Sequence, residues 1–456
     1  MAEFPELKDA LRAWVNDAID RLSNDNAAQD YTTDLGHWQR DSDGVFRFAE
    51  RPIVVWDRMA VNNLFDLPSW AAVLDLLHGD SRLSDQMDTL VGTAHGGHHI
   101  EPESIGRRVM PRPDELAHAA ESFEARYEEI ERFLAAHEIE YAAIWPLPGL
   151  TIDALPVQLE SKIELDAMSD RELGFALDTE IARTTFPRER ILTPQQENRT
   201  CARYRYSLPK LVGDGDVDER HRAFQEIEGE LQQIESALKE SLSIVLPDAV
   251  GVAGRFGIES QPGSPLAGGV TFLQATLAQG PRLRRAHMNS DQAAELVHVW
   301  TLVRQPGLQR YKGLALALRR LSYQAQREQP EDELLDTMIA AEALYLTEMG
   351  DAAERGELRY RLALRAALWA DPEQVGFTKR EVLGLMKSAY NARSAIAHGG
   401  TPKPEDRKVR GQRVSLPELA KTAKSVIVAG CKAALERTAS GKSWPPDWDA
   451  MALGNS

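Results

Sequence analysis

From Ser290 to about residue 440 the sequence carries the periodicity of α-helices and no clear strand signal. Apolar residues recur at intervals of three and four, which is the spacing of one helix face. Thr378-Lys-Arg-Glu381 and Ser415-Leu-Pro-Glu418 have the form of capping boxes, which open helices. Helices are predicted at 290–304, 308–326, 331–349, 358–369, 379–398 and 415–436. Residues 290–440 are therefore expected to form an all-α bundle.

The first 289 residues differ from this pattern. Residues 1–140 are predicted to be mainly helical, with helices over 1–24 and 114–137. Residues 141–289 contain alternating stretches, such as Val157 to Leu165 and Arg203-Tyr-Arg-Tyr206, which favour strands. Residues 441–456 contain Pro445-Pro446 and are predicted to be an extended tail. The expected fold class is α+β: a mixed α/β N-terminal region followed by an all-α bundle.

Composition excludes several classes of protein. The 456 residues contain no run of about 18 apolar residues, so no transmembrane helix is expected. The acidic, amphipathic N-terminus does not resemble a signal peptide, which favours a cytoplasmic protein. Two cysteines make neither a disulfide framework nor a zinc set. For His95-Gly-Gly-His98-His99 an exposed loop is favoured over a metal site, so no metal or other cofactor is predicted.

Tyr390-Asn-Ala-Arg-Ser-Ala-Ile-Ala-His398-Gly-Gly400 is the stretch most suggestive of chemistry. It reads as the end of a helix stopped by glycines, with Arg393 and His398 five residues apart. The spacing alone is weak evidence, because Arg132/His137 and Arg282/His287 share it. Context favours the third pair, since His137 lies among glutamates and His287 follows a basic connection. A structural role, with His398 on the helix dipole and Arg393 in an ion pair, remains the alternative.

Helical geometry places the two side chains on different faces. Leu385, Ala389, Ala392 and Ile396 are spaced as the face packed on the bundle, whereas Asn391, Ser394 and His398 share another face. Five residues correspond to about 140° around a regular helix, so Arg393 and His398 diverge. They can reach one phosphate only if the helix end relaxes or if two copies meet across a two-fold axis.

Residues from about Leu308 to Leu435 resemble the HEPN domain, in particular the Apea-like branch of bacterial anti-phage proteins. The resemblance is carried by three segments, 332–346, 358–368 and 390–399, in that order. It implies a metal-independent endoribonuclease that acts as a homodimer and uses Arg393 and His398 as its catalytic pair. Many members carry Asn directly after the Arg, where this chain has Ser394.

The residue types suit this chemistry. RNA cleavage without a metal uses the 2′-OH as nucleophile, and an imidazole can exchange the protons involved at neutral pH. A guanidinium gives fixed paired donors to the charged transition state. Tyr390, Asn391 and Ser394 are expected to support the pair. Glu342 and Arg365, on otherwise apolar helices, are expected either to form a buried pair or to hold Arg393.

The net charge of −17 argues against a protein that coats nucleic acid over its whole surface. One basic segment is still present, because residues 377–413 hold nine Lys or Arg and three Asp or Glu. Within it, Lys403, Arg407, Lys408 and Arg410 are candidate RNA contacts. A solvated helix and loop is the plainer interpretation of these charges.

Three functions compete at this point. The first is an RNA-cleaving toxin of an anti-phage system, in which the upstream region, residues 141–289 in particular, senses a phage-derived trigger or partner protein. The second is a non-catalytic protein whose bundle only dimerises or senses. The third is a nucleotide-handling module, for which Gly251-Val-Ala-Gly254 is too weak a phosphate loop.

Overall fold

A computed structural model describes residues 3–25, 27–32, 37–40, 46–49, 52–87, 90–93, 96–170, 172–174, 191–192, 199–210, 217–247, 252, 254–259, 286–324, 327, 329–347 and 357–454. These residues combine helices with antiparallel sheet, so the predicted α+β class is confirmed. In this part of the chain, no helix has both the length and the apolar character needed to cross a membrane.

The N-terminal unit has a hydrophobic core of its own, formed between Phe4 and Leu134. Its centre is an aromatic cluster in which Trp14 lies 4.8 Å from Trp70 and 5.5 Å from Phe65 between ring centroids. The helices are α1 Pro5–Asn24, α2 Arg58–Asn62, α3 Pro68–Gly79, α4 Ser81–Met87, α5 Pro102–Val109 and α6 Ala119–Ala135. Helices therefore dominate this unit, as predicted.

Six short strands, which the sequence pattern did not predict, accompany these helices. They are β1 Ala28–Thr32, β2 His37–Arg40, β3 Phe46–Ala49, β4 Pro52–Trp56, β5 Leu90–Thr93 and β6 Gly96–His99. They pair antiparallel as β1 with β4, β2 with β3 and β5 with β6. The loop prediction for the histidine cluster is thus wrong for His98 and His99, which lie in β6, and His95 is outside the described residues.

The strands of the middle region are β7 Glu138–Pro146, β8 Leu150–Ile152, β9 Val157–Glu160, β10 Ile163–Ala167, β11 Ile191–Leu192, β12 Thr200–Pro209, β13 Phe256–Glu259 and β14 Ala286–Met288. Five of them form an antiparallel sheet in the order β13-β7-β12-β10-β9. The strand predicted at Arg203 to Tyr206 is therefore confirmed within β12, whereas the stretch from Val157 to Leu165 forms parts of two paired strands, β9 and β10, instead of one. The strand suggested around Gly269 to Gln274 lies outside the described residues.

The C-terminal part is helical, as its periodicity predicts. Helix α7 Val217–Val245 precedes this part and covers the sheet. The helices of the C-terminal part are α8 Ser290–Val303, α9 Lys312–Tyr323, α10 Pro330–Leu346, α11 Leu358–Trp369, α12 Pro372–Val375, α13 Lys379–Ala397, α14 Leu416–Ala439 and α15 Trp448–Ala452. A small hairpin, β15 Lys408–Val409 with β16 Gln412–Arg413, joins α13 to α14.

Sheet and bundle are not separate bodies, although the sequence placed a boundary at residues 289 and 290. One continuous hydrophobic core runs from Tyr141 to Trp448. The Trp300 indole nitrogen and Arg304 Nε in the bundle region both donate to Glu160 of the sheet at 3.0 Å. Both cysteines, Cys201 and Cys431, are buried free thiols in this core, and burial raises the pKa of Cys201 to about 12.

The C-terminal tail is not extended. Trp444 and Trp448 are buried, and their ring centroids lie 4.8 and 6.4 Å from that of Trp369 in α11. Asp447 accepts hydrogen bonds from the backbone of Asp449 and Ala450 and so caps α15. The proline pair predicts an interrupted backbone correctly, but the tryptophans around it dock the segment on the bundle.

Candidate active site

Helix α13 carries the predicted pair, and local chemistry sets both of its ends. At its start, Thr378 Oγ1 accepts from Glu381 N at 3.3 Å, and Glu381 Oε2 accepts from Thr378 N at 2.8 Å. At its end, Gly399 N donates to Ile396 O at 2.8 Å and Gly400 N to Ala395 O at 2.9 Å. This is the Schellman pattern, with Gly399 in the left-handed region at φ +74°. The predicted capping box and glycine stop are confirmed.

Two glycines of α13 should respond in opposite directions to alanine. Gly399→Ala is expected to cost about 1–2 kcal/mol, because its positive φ is strained for a residue with a Cβ. Gly384→Ala should stabilise by about 0.5–1 kcal/mol, since this glycine lies inside the helix with open space around it. Urea unfolding of both variants measures the difference. Equal effects would mean that Gly399 does not set the helix end.

Arg393 points towards the interior of the bundle. Val382, Met386 and Ala389 are buried at spacings of four and three, and Arg393 continues their stripe at the next interval of four. Its Nη2 lies 3.3 Å from Glu342 Oε2 of α10. The two side chains are only 27% and 28% exposed. The guanidinium is therefore held at the edge of the core by a carboxylate 51 residues earlier in the chain.

The Arg393–Glu342 pair is held in a partly desolvated place. Burial raises the pKa of Glu342, and the positive charge of Arg393 opposes that rise. Arg393 Nε is buried, and no hydrogen-bond acceptor reaches it among residues that the structure describes. Glu342 thus fixes one side of the guanidinium, whereas Nε is a donor without an acceptor among the described residues.

Arg365 contacts the end of α10 and the C-terminal tail. Its Nη1 donates to Tyr345 O at 2.6 Å, and its guanidinium lies 5.4 Å from the centre of the Trp448 ring. Tyr345 O belongs to the last turn of α10, where carbonyls have no partner within the helix. Arg365 therefore caps the C-terminal end of α10 and holds the tail against it. Of Glu342 and Arg365, the two charged residues that were candidates to hold Arg393, Glu342 makes the ion pair with it.

His398 occupies the C-cap position and is exposed. It continues a stripe of Lys387, Asn391 and Ser394 at spacings of four, three and four, on the side of α13 away from Arg393. Asn391 accepts from Arg359 Nη1 at 3.0 Å and donates to Asp406 Oδ1 at 3.5 Å. No hydrogen bond joins the side chains of Arg393 and His398, both of which are described. Within one copy of the chain, the side chains of Arg393 and His398 therefore lie apart, as the helix geometry predicts.

Sequence reasoning missed one member of this stripe, Lys387, and two residues that border it, Tyr360 and Arg359. Tyr360 of α11 is exposed by 48%, and the Lys387 ammonium lies 4.7 Å from the centre of its ring. Arg359, beside Tyr360, reaches Asn391. The signal available in the sequence was Lys387, which has helical spacing to Asn391, Ser394 and His398. An exposed aromatic ring beside a lysine ammonium is a surface on which an unpaired base could stack.

The four predicted RNA contacts do not all lie at the His398 end. Arg410, at the turn of the small hairpin, donates to Gly376 O at 2.5 Å and lies 4.5 Å from the centre of the Phe377 ring. Its Nε is 3.5 Å from Glu381, in the first turn of α13. At 1.5 Å per residue that turn is about 24 Å from the end of the helix. Arg410 is therefore separated from His398 and ties the hairpin to the opposite end of α13.

The other three basic residues differ in exposure. Lys403 and Lys408 are exposed, whereas Arg407 is half-buried. Lys403 precedes the short turn that holds Asp406 against Asn391, which places it closest in the chain to His398. Lys403 is thus the member of this set best placed to meet an RNA strand bound at His398.

Tyr390, one of the residues expected to support the pair, is half-buried and packs against the core.

Comparison with known proteins adds no relative. The chain matches no family model. Searches of curated proteins and of solved structures found no match either. The residues and contacts of the chain itself are therefore the basis for any functional conclusion.

Proposed function

We propose that this chain is a metal-independent endoribonuclease of the HEPN type, acting as a homodimer in anti-phage defence. The observation that carries this proposal is the surface at the end of α13. There an exposed His398 closes a polar stripe that runs back through Asn391, which Arg359 contacts, to Lys387, whose ammonium lies over the exposed ring of Tyr360. Such a surface offers a proton-exchanging group at the helix end and, about three helical turns away, a platform for single-stranded RNA.

The proposed reaction is attack of a ribose 2′-OH on the adjacent phosphorus. His398 takes the 2′ proton as the 2′-oxygen–phosphorus bond forms. The bond from phosphorus to the 5′-oxygen breaks, and that oxygen takes a proton from water. Arg393 donates to the phosphate oxygens, on which negative charge increases in the transition state. The products are a 2′,3′-cyclic phosphate and a 5′-OH end.

A dimer resolves the separation of Arg393 and His398. The two side chains diverge by about 140° on one helix, so one phosphate is reached most simply by Arg393 of one copy and His398 of the other. In this arrangement Glu342 is a positioning residue: it holds the guanidinium at the edge of the core until RNA approaches. The exposed, glycine-terminated end of α13 is the part of the helix free to meet a second copy.

The test is cleavage of cellular RNA by purified protein in EDTA. His398→Ala and Arg393→Ala are each expected to lower the rate on the order of a hundred- to thousand-fold, as for the loss of one transition-state contact. His137→Ala and Arg132→Ala are matched controls, because that pair has the same spacing at the end of the acidic helix α6, and they should cleave like the wild type. Wild-type protein that leaves RNA intact, or a His398→Ala variant that cleaves normally, would reject the proposal.

The Arg393–Glu342 contact also favours a second candidate, a non-catalytic dimerisation module. A half-buried ion pair between two helices is what a purely structural arginine would show. Under this alternative Arg393→Ala destabilises the bundle, whereas His398→Ala changes neither stability nor any activity. Unfolding curves of the two variants, recorded beside the cleavage assay, separate the two functions.

A further inference from the structure

A cleft opens on the N-terminal unit, in a part of the chain to which the proposed ribonuclease assigns no role. It has a volume of about 490 Å³, within the usual range for small-molecule sites. It lies between Trp56 at the end of β4, helix α2, the last turn of α5 and the segment that follows α5. The residues that line it are Trp56, Val61, Asn62, Arg107, Met110, Pro111, Arg112 and Pro113.

The walls of the cleft are apolar and partly fixed. The indole nitrogen of Trp56 donates to Pro111 O at 2.8 Å, which anchors the ring to the opposite wall. This hydrogen bond is made at the ring edge, so it does not itself occupy a face of the indole. Val61, Met110 and the two prolines complete an apolar lining. A ligand with a flat, weakly polar body fits such walls.

The rim of the cleft is positively charged. Arg107 is exposed, lies over the Phe65 ring at 5.2 Å and donates to Asn62 Oδ1 at 3.5 Å. Among the described residues no carboxylate pairs with Arg107. Arg112 is 57% exposed and lies 3.7 Å from Glu115, a carboxylate that also binds Arg126 at 2.6 Å.

No Asp or Glu appears among the residues that line the cleft. In a chain of net charge −17, which repels anions over most of its surface, two guanidiniums on one apolar cleft form a local site for an anion.

We infer that this cleft binds a nucleoside monophosphate. The base would pack on Trp56 and the prolines, and the phosphate would bind Arg107 and Arg112. A phosphate is preferred over a carboxylate because two guanidiniums offer more donors than two carboxylate oxygens can accept. The Asn62 amide could bind the polar edge of the base. This inference does not depend on the proposed ribonuclease activity.

Calorimetric titration of the full-length protein with AMP, GMP, CMP and UMP tests the inference. Saturable binding of at least one of them at a single site is expected. Adenosine, which lacks the anion, and inorganic phosphate, which lacks the base, should bind at least about tenfold more weakly than the best nucleotide, since each forfeits one half of the site. Arg107→Gln and Arg112→Gln should each weaken that nucleotide by a similar factor.

Arg21→Gln is the matched control, because Arg21 is an exposed arginine of the same unit outside the cleft. It should bind like the wild type, and Trp56→Phe should retain more affinity than Trp56→Ala. Three results would overturn the inference. They are no saturable binding of any of the four nucleotides up to about 1 mM, equal binding of AMP and adenosine, or unchanged affinity in a folded Arg107→Gln variant.

Discussion

Co-expression of the His398→Ala and Arg393→Ala chains is expected to restore RNA cleavage to about a quarter of the wild-type rate, although each variant alone is inactive. If Arg393 of one copy works with His398 of the other, a mixed dimer keeps one complete site and loses both groups from the second. Random pairing makes about half of the dimers mixed, and half of their sites are complete. The measurement is cleavage in EDTA by the unfractionated mixture, and mixed dimers isolated through two different tags should reach about half of the wild-type rate.

The control for this experiment is co-expression of His398→Ala with the doubly substituted chain. That mixture contains no His398 opposite an intact Arg393, so it should stay inactive. Activity in the first mixture alone places the two groups in trans. If single variants are inactive and the mixture is inactive too, Arg393 and His398 act within one chain. The last turn of α13 would then have to relax to bring them together.

Trp448→Ala should lower the free energy of unfolding of the sheet and bundle, which share one core, by about 3–5 kcal/mol. This is the usual cost of truncating a buried aromatic side chain. Trp448 is 6% exposed and contacts Trp369, Trp444 and Tyr345, with Arg365 over its ring. Its loss would leave a cavity where the tail meets α10 and α11. Urea unfolding followed by near-ultraviolet circular dichroism measures the change.

Leu453→Ala is the matched control, since Leu453 lies in the same tail but is 76% exposed. It should change stability by less than about 0.5 kcal/mol. If Trp448→Ala behaves like Leu453→Ala, the tail does not contribute to the fold. A truncation before Trp444 should then be tolerated as well, as the predicted extended tail implied.

Local sequence chemistry was sufficient for most helices of the C-terminal part. Leu358–Trp369 was predicted with its observed bounds, and α13 with both of its ends. Capping by Thr378 and Glu381 and the positive φ of Gly399 involve residues a few positions apart, so the information lies within one short window. Candidate residues could therefore be placed correctly along the helix.

Contacts between distant segments could not be read in this way. The periodicity of α13 identified Leu385, Ala389, Ala392 and Ile396 as packed; the first three are buried, and Ile396 is half-buried against the core. It did not show that α10, α11 and α14 all contact α13, which widens the buried arc to include the stripe that ends at Arg393. The partner Glu342 is 51 residues away, and no local pattern links the two.

The sequence by itself determined where most helices of residues 290–440 run, where α13 starts and stops, and that Arg393 and His398 leave it in different directions. Tertiary structure decided the rest. It joined the sheet and bundle into one core through Trp300 and Glu160, and it docked the tail on Trp369. It also directs the Arg393 side chain inward to Glu342, and it places Arg410 at the N-terminal end of α13, away from His398. The physical reason is range: capping and periodicity act within a few residues, whereas burial depends on which distant surfaces meet.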